Sequence, residues 1–340
     1  MKILHIITSS NFGGAEQYLL HLLSEQKRQH HDLYLYRHPF GRRDRDVEKF
    51  VCRDVKVSIK NSVSPYHLRQ IVSLIKRAKI DVIHTHLSKA SVLGGIAGKC
   101  SGTPVIATVH GVNSRKDYHF SSAVIAVSEA VKEALLEKRP WNKKIYVIHN
   151  GIPDPVQCKK TFLANGSLKI LFAGRLTYEK GVDRLLTLLS RYQMKPWTLT
   201  IAGTGPMEKE LKEKCAELEL TGNVFFTGFV DDIGSLMLEH DCLVLPSRKE
   251  GFGLVLIEAF ARGIPALGAN TGGITEIIGP NSGGLLFNPD SPESLYKTLD
   301  ELSQRNRLSA LGKMAYQTYQ NKFTLEKMGK SIEAVYESFL

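Results

Sequence analysis

The chain has 340 residues, of which 43% are hydrophobic and 23% are charged. This is an ordinary globular composition, and it excludes a collagen, a coiled coil or a disordered chain. No run of about 18 apolar residues predicts a transmembrane helix, and the N-terminal MKILHIITSS predicts a first strand rather than a signal peptide. The five cysteines are scattered and never form a CxxC pair. They argue against disulfides and zinc knuckles and favour a reducing, cytoplasmic setting.

Charge is unevenly distributed along the chain. Residues 1–165 carry 26 Lys and Arg against 13 Asp and Glu, whereas residues 166–340 carry 19 against 21. The net charges are therefore +13 and −2, which indicates two domains with different surfaces. The basic part favours an anionic partner such as nucleic acid, an acidic membrane or a phosphorylated substrate. A solvated face that keeps the protein soluble is the alternative.

Short apolar runs alternate with helical stretches over the whole chain. The predicted strands are 2–8, 32–37, 55–59, 81–86, 104–111, 123–128, 145–152, 168–174, 198–203, 224–229, 242–247, 265–269 and 283–288. The predicted helices include 14–30, 66–79, 88–100, 129–139, 305–322 and 324–339. Most strands are continuous Val, Ile and Leu runs, which are typical of parallel strands covered on both faces.

Strand–helix alternation predicts an α/β fold with doubly wound parallel sheets. A stretch with two Pro, two Gly and mixed polar residues at 151–167 predicts a linker between two such blocks. We therefore expect an N-terminal Rossmann-like domain over 1–160 and a C-terminal one over 161–323. The final segment, 324–340, is predicted to be a helix with no strand after it.

The strongest motif is SRKEGFGLVLIEAFARG, which follows the strand that ends near 247. Its glycines allow a tight turn into a helix, where free backbone N–H groups suit a phosphate. Glu250 and Glu258 flank this turn as acceptors for sugar hydroxyls, one for a hexose and the other for a ribose. The alternative is that both are ordinary exposed helix residues. The turn residues assigned to ligand binding are Gly251, Phe252, Gly253 and Leu254.

A second motif, GRLTYEKGVDRLL, follows the strand at 168–174. Gly174 starts the turn, and Arg175 and Lys180 supply two cations that suit a diphosphate. The alternative is a solvated turn. A third, weaker motif is GGAE, in which Gly14 opens a helix after the first strand. No P-loop and no hydrolase nucleophile elbow is present.

Histidines cluster at the predicted strand ends of the first domain. His84 and His86 share one face of a strand, but the sequence shows no third ligand at matching spacing, so we predict no metal site there. The DRD sequence at 44–46 follows no apolar strand and is not assigned to metal binding either. His110 ends a buried strand, where it could donate to a sugar hydroxyl or a leaving phosphate.

These motifs together resemble retaining glycosyltransferases of the GT-B fold, family 4, of the bacterial surface polysaccharide and lipopolysaccharide type. The motifs that carry the resemblance are GGAE, HNGI, GRLTYEKG, EGFGLVLIE and TGGITEII, in that order along almost the whole chain. The resemblance implies two Rossmann-like domains that face a cleft. The nucleotide diphosphate sugar would bind mainly the C-terminal domain, and the acceptor the N-terminal one. It also implies that the final helix crosses back to the first domain.

The resemblance further implies roles for single residues. Arg175 and Lys180 would neutralise the departing diphosphate in place of a metal, so neither a metal nor another cofactor is expected. Glu250 would contact the hydroxyls of the transferred sugar, Glu258 the ribose, and His110 would lie near the sugar. The amide of Gly14 would complete the donor cradle. Retention would proceed by front-face attack, since the sequence offers no obvious carboxylate nucleophile.

The positive charge of the first domain indicates which kind of partner it binds. In the helix 66–79 the apolar residues form one stripe, and the cations lie mostly off it. Together with the basic strip at 138–144, this favours a lipid-linked or polysaccharide acceptor and a peripheral position on the inner face of the membrane. The alternative for the helix is a core-facing stripe with a solvated face.

Two other functions are compatible with parts of this pattern. One is a soluble sugar-phosphate or polymer synthase of the same fold. Another is a non-catalytic nucleotide-binding module. Nucleic acid is not expected as a partner, because the N-terminal part lacks the interleaved aromatic residues of a stacking platform. A nicotinamide dehydrogenase is disfavoured by its incomplete glycine fingerprint.

Overall fold

The computed structural model describes most of the chain. The described residues are 1–9, 13–58, 64–111, 115–137, 143–155 and 166–340, without the side chain of Arg42. They form two compact units, one of Met1–Pro153 with Thr324–Leu340 and one of Asp154–Phe323. The sequence-derived boundary at 160/161 and residues 138–142 of the basic strip lie outside the described residues.

The order of elements is that of strand–helix alternation. The strands are β1 (Lys2–Ile7), β2 (Asp32–Arg37), β3 (Arg53–Lys56), β4 (Val82–His86), β5 (Val105–Val109), β6 (Ala123–Ala126), β7 (Lys144–Val147), β8 (Leu168–Ala173), β9 (Trp197–Ala202), β10 (Val224–Gly228), β11 (Cys242–Leu245), β12 (Ala266–Ala269) and β13 (Gly284–Phe287). The α-helices are α1 (Gly14–Arg28), α2 (Asp44–Glu48), α3 (Pro65–Ala78), α4 (Ser88–Ser101), α5 (Glu129–Leu136), α6 (Val182–Leu189), α7 (Glu208–Glu217), α8 (Ile233–Leu238), α9 (Leu254–Ala261), α10 (Ile274–Ile277), α11 (Pro292–Leu302), α12 (Arg305–Lys322) and α13 (Leu325–Glu337).

The first unit is built on a seven-stranded sheet in the order β3-β2-β1-β4-β5-β6-β7, with every pair parallel. Strands β4 and β5 are buried along their whole length, as expected for central parallel strands covered on both faces, although β4 (VIHTH) carries two histidines. One face of the sheet packs on a core that includes residues of α1 and α13. The other face packs on residues of α3 and α4. The sheet is thus covered on both sides, as in a doubly wound fold.

The second unit repeats this topology with six parallel strands in the order β10-β9-β8-β11-β12-β13. In both sheets the strand order reverses direction beside the first strand of the unit, between β1 and β4 or between β8 and β11. Such a reversal leaves a crevice at the carboxyl ends of those strands, where ligands bind in open α/β sheets. The predicted doubly wound α/β class is confirmed for both units.

The last helix, α13, belongs to the first unit, although it follows the second in the chain. It packs against α1 through residues that include Met328, Ile332 and Tyr336. Its entry is fixed by Ile152, whose carbonyl accepts a hydrogen bond of 2.9 Å from the N–H of Leu325. Strand β7 ends at Val147, earlier than the predicted strand 145–152, and Ile152 forms an isolated parallel bridge with Thr324 instead.

Helix α3 is core-facing, which confirms the alternative that its sequence left open. Ile71, Leu74 and Ile75 are buried against the sheet. The four cations of the helix and its C-terminal cap are exposed: Arg69, Lys76, Arg77 and Lys79. None of the helices in the described ranges is long and apolar enough to span a bilayer.

Candidate functional site

Two of the predicted motifs meet at the strand-order reversal of the second unit. Strands β8 and β11 are direct neighbours in the sheet. The loop 174–181 follows β8, and the loop 246–253 follows β11. Because both leave the carboxyl ends of adjacent parallel strands, they lie side by side at the place where this fold binds ligands. We call these two segments the paired loops.

The predicted cation Lys180 and the predicted carboxylate Glu250 are in direct contact. Their Nζ and Oε2 atoms are 2.6 Å apart, and the Ser247 hydroxyl donates to the same oxygen at 3.2 Å. The Lys180 side chain is 26% exposed and that of Glu250 is 11% exposed, so the pair is partly shielded from solvent. The sequence motifs placed these residues on different parts of a ligand and did not predict the pair. An arriving diphosphate would compete with Glu250 for the ammonium group.

The paired loops are tied together by a second ion pair, which the sequence analysis missed. The Arg248 guanidinium binds both carboxylate oxygens of Asp183, at 2.6 and 2.7 Å, and stacks 4.0 Å from the ring centroid of Tyr178. The Arg248 backbone N–H donates to the carbonyl of Glu179 at 2.7 Å. Bidentate Arg–carboxylate pairs fix orientation as well as distance.

Arg184, also missed, clamps the loop after β11 through its carbonyl groups. Its guanidinium donates to the Pro246 oxygen at 2.7 and 2.9 Å and to the Ser247 oxygen at 2.7 Å. The signal was present in the sequence, because Asp183 and Arg184 lie within the second motif, just after its Gly181 and Val182.

Glycine is required where the loops approach each other. Gly181 has a φ of +68°, and a Cβ atom on it would lie 2.2 Å from the Pro246 carbonyl oxygen. On the other side, Gly272 has a φ of +50°, and its Cβ would lie 2.3 Å from the Glu250 oxygen. The TGG sequence after β12 therefore supports the EGFG turn from behind. A side chain at either position would push the loops apart.

The EGFG turn starts a helix as predicted. Gly253, with a φ of +102°, caps α9, which begins at Leu254. The Phe252 side chain is buried and packs edge-on against Phe323, with 5.9 Å between ring centroids. Any contribution of Phe252 to ligand binding is therefore limited to its backbone. A ligand-binding role for the backbone N–H groups of Phe252, Gly251, Gly253 and Leu254 remains a prediction.

Glu258 lies on the second turn of α9, as the spacing of the motif predicts. Burial raises the pKa of its carboxyl to about 7, and Arg262 offsets part of this effect. The Arg262 guanidinium itself donates to the Glu258 backbone oxygen at 3.0 Å. A carboxyl with a pKa near neutrality switches between acceptor and donor, and this is typical of functional sites.

The other residues of the first loop lie beside the ion pair. Gly174 directly follows β8, and its backbone N–H donates to the carbonyl of Ala202 at 3.0 Å. Arg175 is exposed. It contributes to lowering the pKa of the Glu179 carboxyl, after hydrogen bonds to the backbone and Thr177. The predicted cations thus differ, because Lys180 is held by a carboxylate and Arg175 extends into solvent.

In the first unit, the corresponding reversal lies between β1 and β4, and Gly14 begins α1 beside it. The N–H group before it, on Gly13, donates to the Glu16 carboxylate at 2.8 Å. One donor of this helix start is thus already used by a carboxylate of the chain itself. The role of Gly14 in a donor cradle stays a prediction, and residues 10–12 lie outside the described residues.

His110 directly follows β5 and is packed between two rings. Tyr18 meets it edge-on at 4.7 Å between centroids, and His86 stacks on it at 5.9 Å. Burial lowers the pKa of His110 to about 4, so the ring is neutral at neutral pH. Its Nε2 atom is buried and has no hydrogen-bond partner among the described residues. A neutral ring at the end of a strand can exchange a hydrogen bond with a hydroxyl but supplies no positive charge.

The expectation that His84 and His86 have no third neighbour is wrong. His5 pairs with His84 in the parallel register of β1 and β4, and ligand atoms of the three imidazoles lie within 4.8 Å of one another. Their nitrogens form hydrogen bonds with neutral groups, including His5 with Gln26 at 2.8 Å and His84 with Thr108 at 2.7 Å. We call these three residues the histidine cluster. That the protein holds no metal stays a prediction.

Comparison with known proteins covers both units. Residues 12–154 match the family described as Glycosyltransferase Family 4, and residues 155–320 match Glycosyl transferases group 1. A similar relative is the uncharacterized glycosyltransferase MJ1607 of Methanocaldococcus jannaschii, 32% identical over 60% of this chain. The match spans 57% of the length of that relative.

Two further similarities extend over most of the chain. The UDP-Gal:alpha-D-GlcNAc-diphosphoundecaprenol alpha-1,3-galactosyltransferase of Escherichia coli is 24% identical over 84% of this chain and 81% of its own length. The crystal structure of Anabaena HepE in complex with UDP and glucose superimposes with a TM-score of 0.85 at 23% identity, covering 99% of this chain and all of that one. The fold likeness and the two family matches agree with the paired loops described above. The chain therefore belongs to the GT-B glycosyltransferases of the family 4 type.

Proposed function

We propose that this protein transfers a hexose or N-acetylhexosamine, with retention of configuration, from a nucleotide diphosphate sugar to a lipid-linked or polysaccharide acceptor. A UDP-sugar is the favoured donor. The solved structure of Anabaena HepE with UDP and glucose supports this choice of nucleotide. The named acceptor of the Escherichia coli relative, a diphosphoundecaprenol-linked sugar, supports a lipid-linked acceptor.

The observation that carries the proposal is the arrangement of the paired loops. They bring a cation (Lys180), a hydroxyl acceptor (Glu250) and a helix start (Leu254) to one strand-order reversal. Each group matches one part of a nucleotide sugar. Lys180 suits the charge of the diphosphate, Glu250 suits the sugar hydroxyls, and the backbone N–H groups at the start of α9 suit phosphate oxygens. Glu258, one turn further along α9, is assigned to the ribose hydroxyls.

The chemical work of these residues follows from charge. As the glycosidic bond breaks, the sugar acquires oxocarbenium character and negative charge grows on the departing diphosphate. Lys180 and Arg175 neutralise that charge, with Lys180 exchanging its carboxylate partner for phosphate oxygens. Glu250 is then free to accept hydrogen bonds from the sugar. Cations aimed at developing charge are among the largest contributors to catalysis.

Retention is proposed to occur by attack from the face that the diphosphate leaves, with the leaving phosphate helping to deprotonate the acceptor hydroxyl. His110, as a neutral ring, would exchange a hydrogen bond with a hydroxyl of the sugar rather than stabilise charge. No metal is proposed for this step. The anomeric configuration of the product, measured by NMR, tests the stereochemistry, and an inverted product would exclude front-face attack.

The donor is tested first, by thermal shift with UDP, GDP and ADP in the presence of EDTA. A ligand at 100 times its dissociation constant should stabilise the protein by about 2.7 kcal/mol. We expect UDP to raise the midpoint, Glu258→Ala to abolish the shift, and the control Glu217→Ala, an exposed glutamate on α7, to retain it. A shift that appears only after addition of a divalent metal would contradict the metal-free proposal.

The acceptor is tested with the same protein and radiolabelled UDP-sugars. Transfer to a polyprenyl-diphosphate sugar in detergent supports the lipid-linked acceptor, whereas transfer only to a soluble sugar phosphate identifies a synthase of the same fold. Nucleotide binding without transfer to either acceptor would favour a non-catalytic nucleotide-binding module. The proposed position, peripheral on the cytoplasmic face of the membrane, is tested by cell fractionation with and without a high-salt wash.

A further inference from the structure

The outer face of α3 borders a groove that the proposed donor site does not use. A hollow of about 450 Å³ lies between this helix and the edge strand β3. We call it the α3 groove. The lining residues that carry the argument are Tyr36, Arg53, Tyr66, Arg69, Gln70 and Arg77.

Three exposed arginines converge on this groove from two elements. Arg53 comes from β3, and Arg69 and Arg77 from α3, two turns and about 12 Å apart along the helix axis. Among the residues that the structure describes, no carboxylate lines the groove. Within the described ranges no ion pair neutralises these three side chains. The one acidic residue of β3, Asp54, is bound by the buried Arg37 at 2.7 Å. The groove therefore keeps three positive charges available.

One wall of the groove contains a chain of hydrogen bonds between side chains. The buried Tyr36 hydroxyl lies 2.8 Å from His67 Nδ1 and donates to the Gln70 carbonyl oxygen at 2.8 Å. The Gln70 amide in turn donates to the Tyr66 hydroxyl oxygen at 2.9 Å. The Tyr66 side chain is 63% exposed. Because the Tyr66 oxygen accepts this hydrogen bond, its own O–H remains available to donate to a ligand.

The groups that the groove offers to a ligand are therefore donors. Three guanidinium groups have no acceptor atoms, and the Tyr66 O–H is available as a further donor. A phosphoryl group is the complementary ligand, because its oxygens accept hydrogen bonds and carry negative charge. Arg binds such oxygens in a bidentate manner that Lys cannot reproduce.

The other side of the same arginine ridge is apolar. A second hollow, of about 540 Å³, shares Arg69 and Arg77 with the α3 groove but is lined by Leu68 and Val72. Cations between a donor-rich groove and an apolar hollow match a molecule that carries a phosphoryl group next to hydrocarbon. A phospholipid surface has this chemistry, and a soluble phosphorylated molecule has only the phosphoryl part.

We propose that the α3 groove is a phosphoryl-binding site, formed by Arg53, Arg69, Arg77 and Tyr66 and separate from the paired loops. This proposal rests on the proposed function in one respect only, which is the choice of an anionic partner for the basic first unit. Binding here would hold the first unit on its partner independently of the nucleotide. The groove therefore recognises a phosphoryl group through geometry, beyond the general attraction of a basic surface.

The experiment compares four forms of the full chain at saturating UDP, which occupies the donor site. The first is the wild type. In the second and third, the three groove arginines are all replaced by Gln or all by Lys. The fourth is a control with the same loss of charge, in which three exposed cations, Lys27 on α1, Arg45 on α2 and Lys49 directly after α2, are replaced by Gln. Circular dichroism and the UDP thermal shift verify that each form is folded and binds nucleotide.

Two probes separate the sources of the phosphoryl group. The first is co-sedimentation with vesicles of 30% phosphatidylglycerol in phosphatidylcholine, against pure phosphatidylcholine. The second is calorimetric titration with inorganic phosphate. We expect the Gln and Lys forms to lose at least tenfold in affinity for the anionic vesicles, and the control to remain within about twofold of the wild type. The same pattern with inorganic phosphate alone supports a soluble source.

Two outcomes overturn the proposal. If the control loses as much affinity as the Gln form, or if the Lys form binds like the wild type, the interaction is diffuse electrostatics and not a built site. If the wild type binds neither probe, the groove has no phosphoryl ligand. Failure of the proposed function is separate, since it appears as loss of the UDP shift or of sugar transfer in the wild type.

Discussion

The strand-order reversals of the two units present opposite kinds of chemistry on the same topology. In the second unit, the groups after β8 and β11 are charged, paired with each other and partly exposed, as in Lys180 and Glu250. In the first unit, β1 and β4 instead carry three imidazoles, His5, His84 and His86, which are uncharged and completely buried. One edge can therefore exchange ion partners with an anionic ligand. The other can only exchange hydrogen bonds between neutral groups.

This difference has a physical cause. An ion pair at a loop keeps part of its hydration, so its charges persist at modest cost. Imidazoles in the middle of a sheet lose all hydration, and burial lowers the pKa of each; that of His5 falls to about 4. The same kind of fold thus places charge stabilisation in one unit and hydrogen bonding between neutral groups in the other.

The largest expected effect comes from removing the charge at the paired loops. Lys180→Met eliminates the cation that is assigned to the departing diphosphate and leaves Glu250 with only Ser247 as its described partner. We expect kcat for sugar transfer to fall by about 10²-fold or more, by analogy with loss of an oxyanion donor. Steady-state kinetics with the donor identified by thermal shift measures the effect.

The control is Lys209→Met, which removes an 89% exposed cation on α7 of the same unit and should leave kcat unchanged. Equal rates for Lys180→Met and the wild type would show that the Lys180–Glu250 pair is structural. In that case the comparison between a charged and a neutral edge would have no catalytic meaning.

The neutral side of the comparison predicts a pH-dependent stability in the first unit. Because the pKa of His5 is lowered to about 4, the unfolded state binds more protons than the folded state below its usual value of 6.5. Stability is therefore complete above pH 6.5 and decreases as the pH falls towards 4. His5 alone contributes about 3 kcal/mol over this range. Hydrogen exchange of β1 and β4, corrected for intrinsic rates, measures the opening free energy.

A matched pair of variants isolates the cause. His5→Gln should reduce the pH dependence of β1, since it keeps a polar group near Gln26 and removes one of the three buried titrations, leaving those of His84 and His86. His30→Gln, which alters an exposed histidine after α1, should leave it steep. An unchanged slope in His5→Gln would assign the acid sensitivity to other groups.

A smaller effect is expected from loosening the loop after β11. Arg184→Met removes the three hydrogen bonds to the carbonyls of Pro246 and Ser247. Hydrogen bonds from a charged donor contribute about 1.5–3 kcal/mol. We expect faster hydrogen exchange over 246–253 and weaker UDP binding, with the sheet core unaffected. Arg191→Met, at an exposed position after α6, is the control, and matching exchange rates in the two variants would exclude the clamp.

Much of this architecture could be predicted from the sequence, for reasons of pattern. Short apolar runs marked the position of most strands, and GFG after a strand predicted the start of α9 at Leu254. The edge strand β3, RDVK at Arg53–Lys56, only overlaps the predicted strand 55–59. The misses were contacts between segments distant in sequence. The Lys180–Glu250 pair joins residues 70 positions apart, and the His5–His84 neighbourhood depends on strand register. Neither sequence period nor motif spacing encodes which strand lies beside which.

The smallest effect is the pH dependence of nucleotide binding through Glu258, the one strongly perturbed carboxyl that the motif analysis named. Its pKa is raised to about 7 by burial, so its carboxylate form, which accepts hydrogen bonds from the ribose hydroxyls, is lost as the pH falls below neutrality. If binding requires the carboxylate, UDP affinity should fall about tenfold from well above pH 7 to pH 6, which is about 1.4 kcal/mol. Calorimetric titrations at several pH values measure this. In Glu258→Gln the affinity should be lower and independent of pH, because the amide cannot titrate. A Gln variant that keeps the wild-type pH profile would show that another group titrates and would leave Glu258 as a buried structural acid.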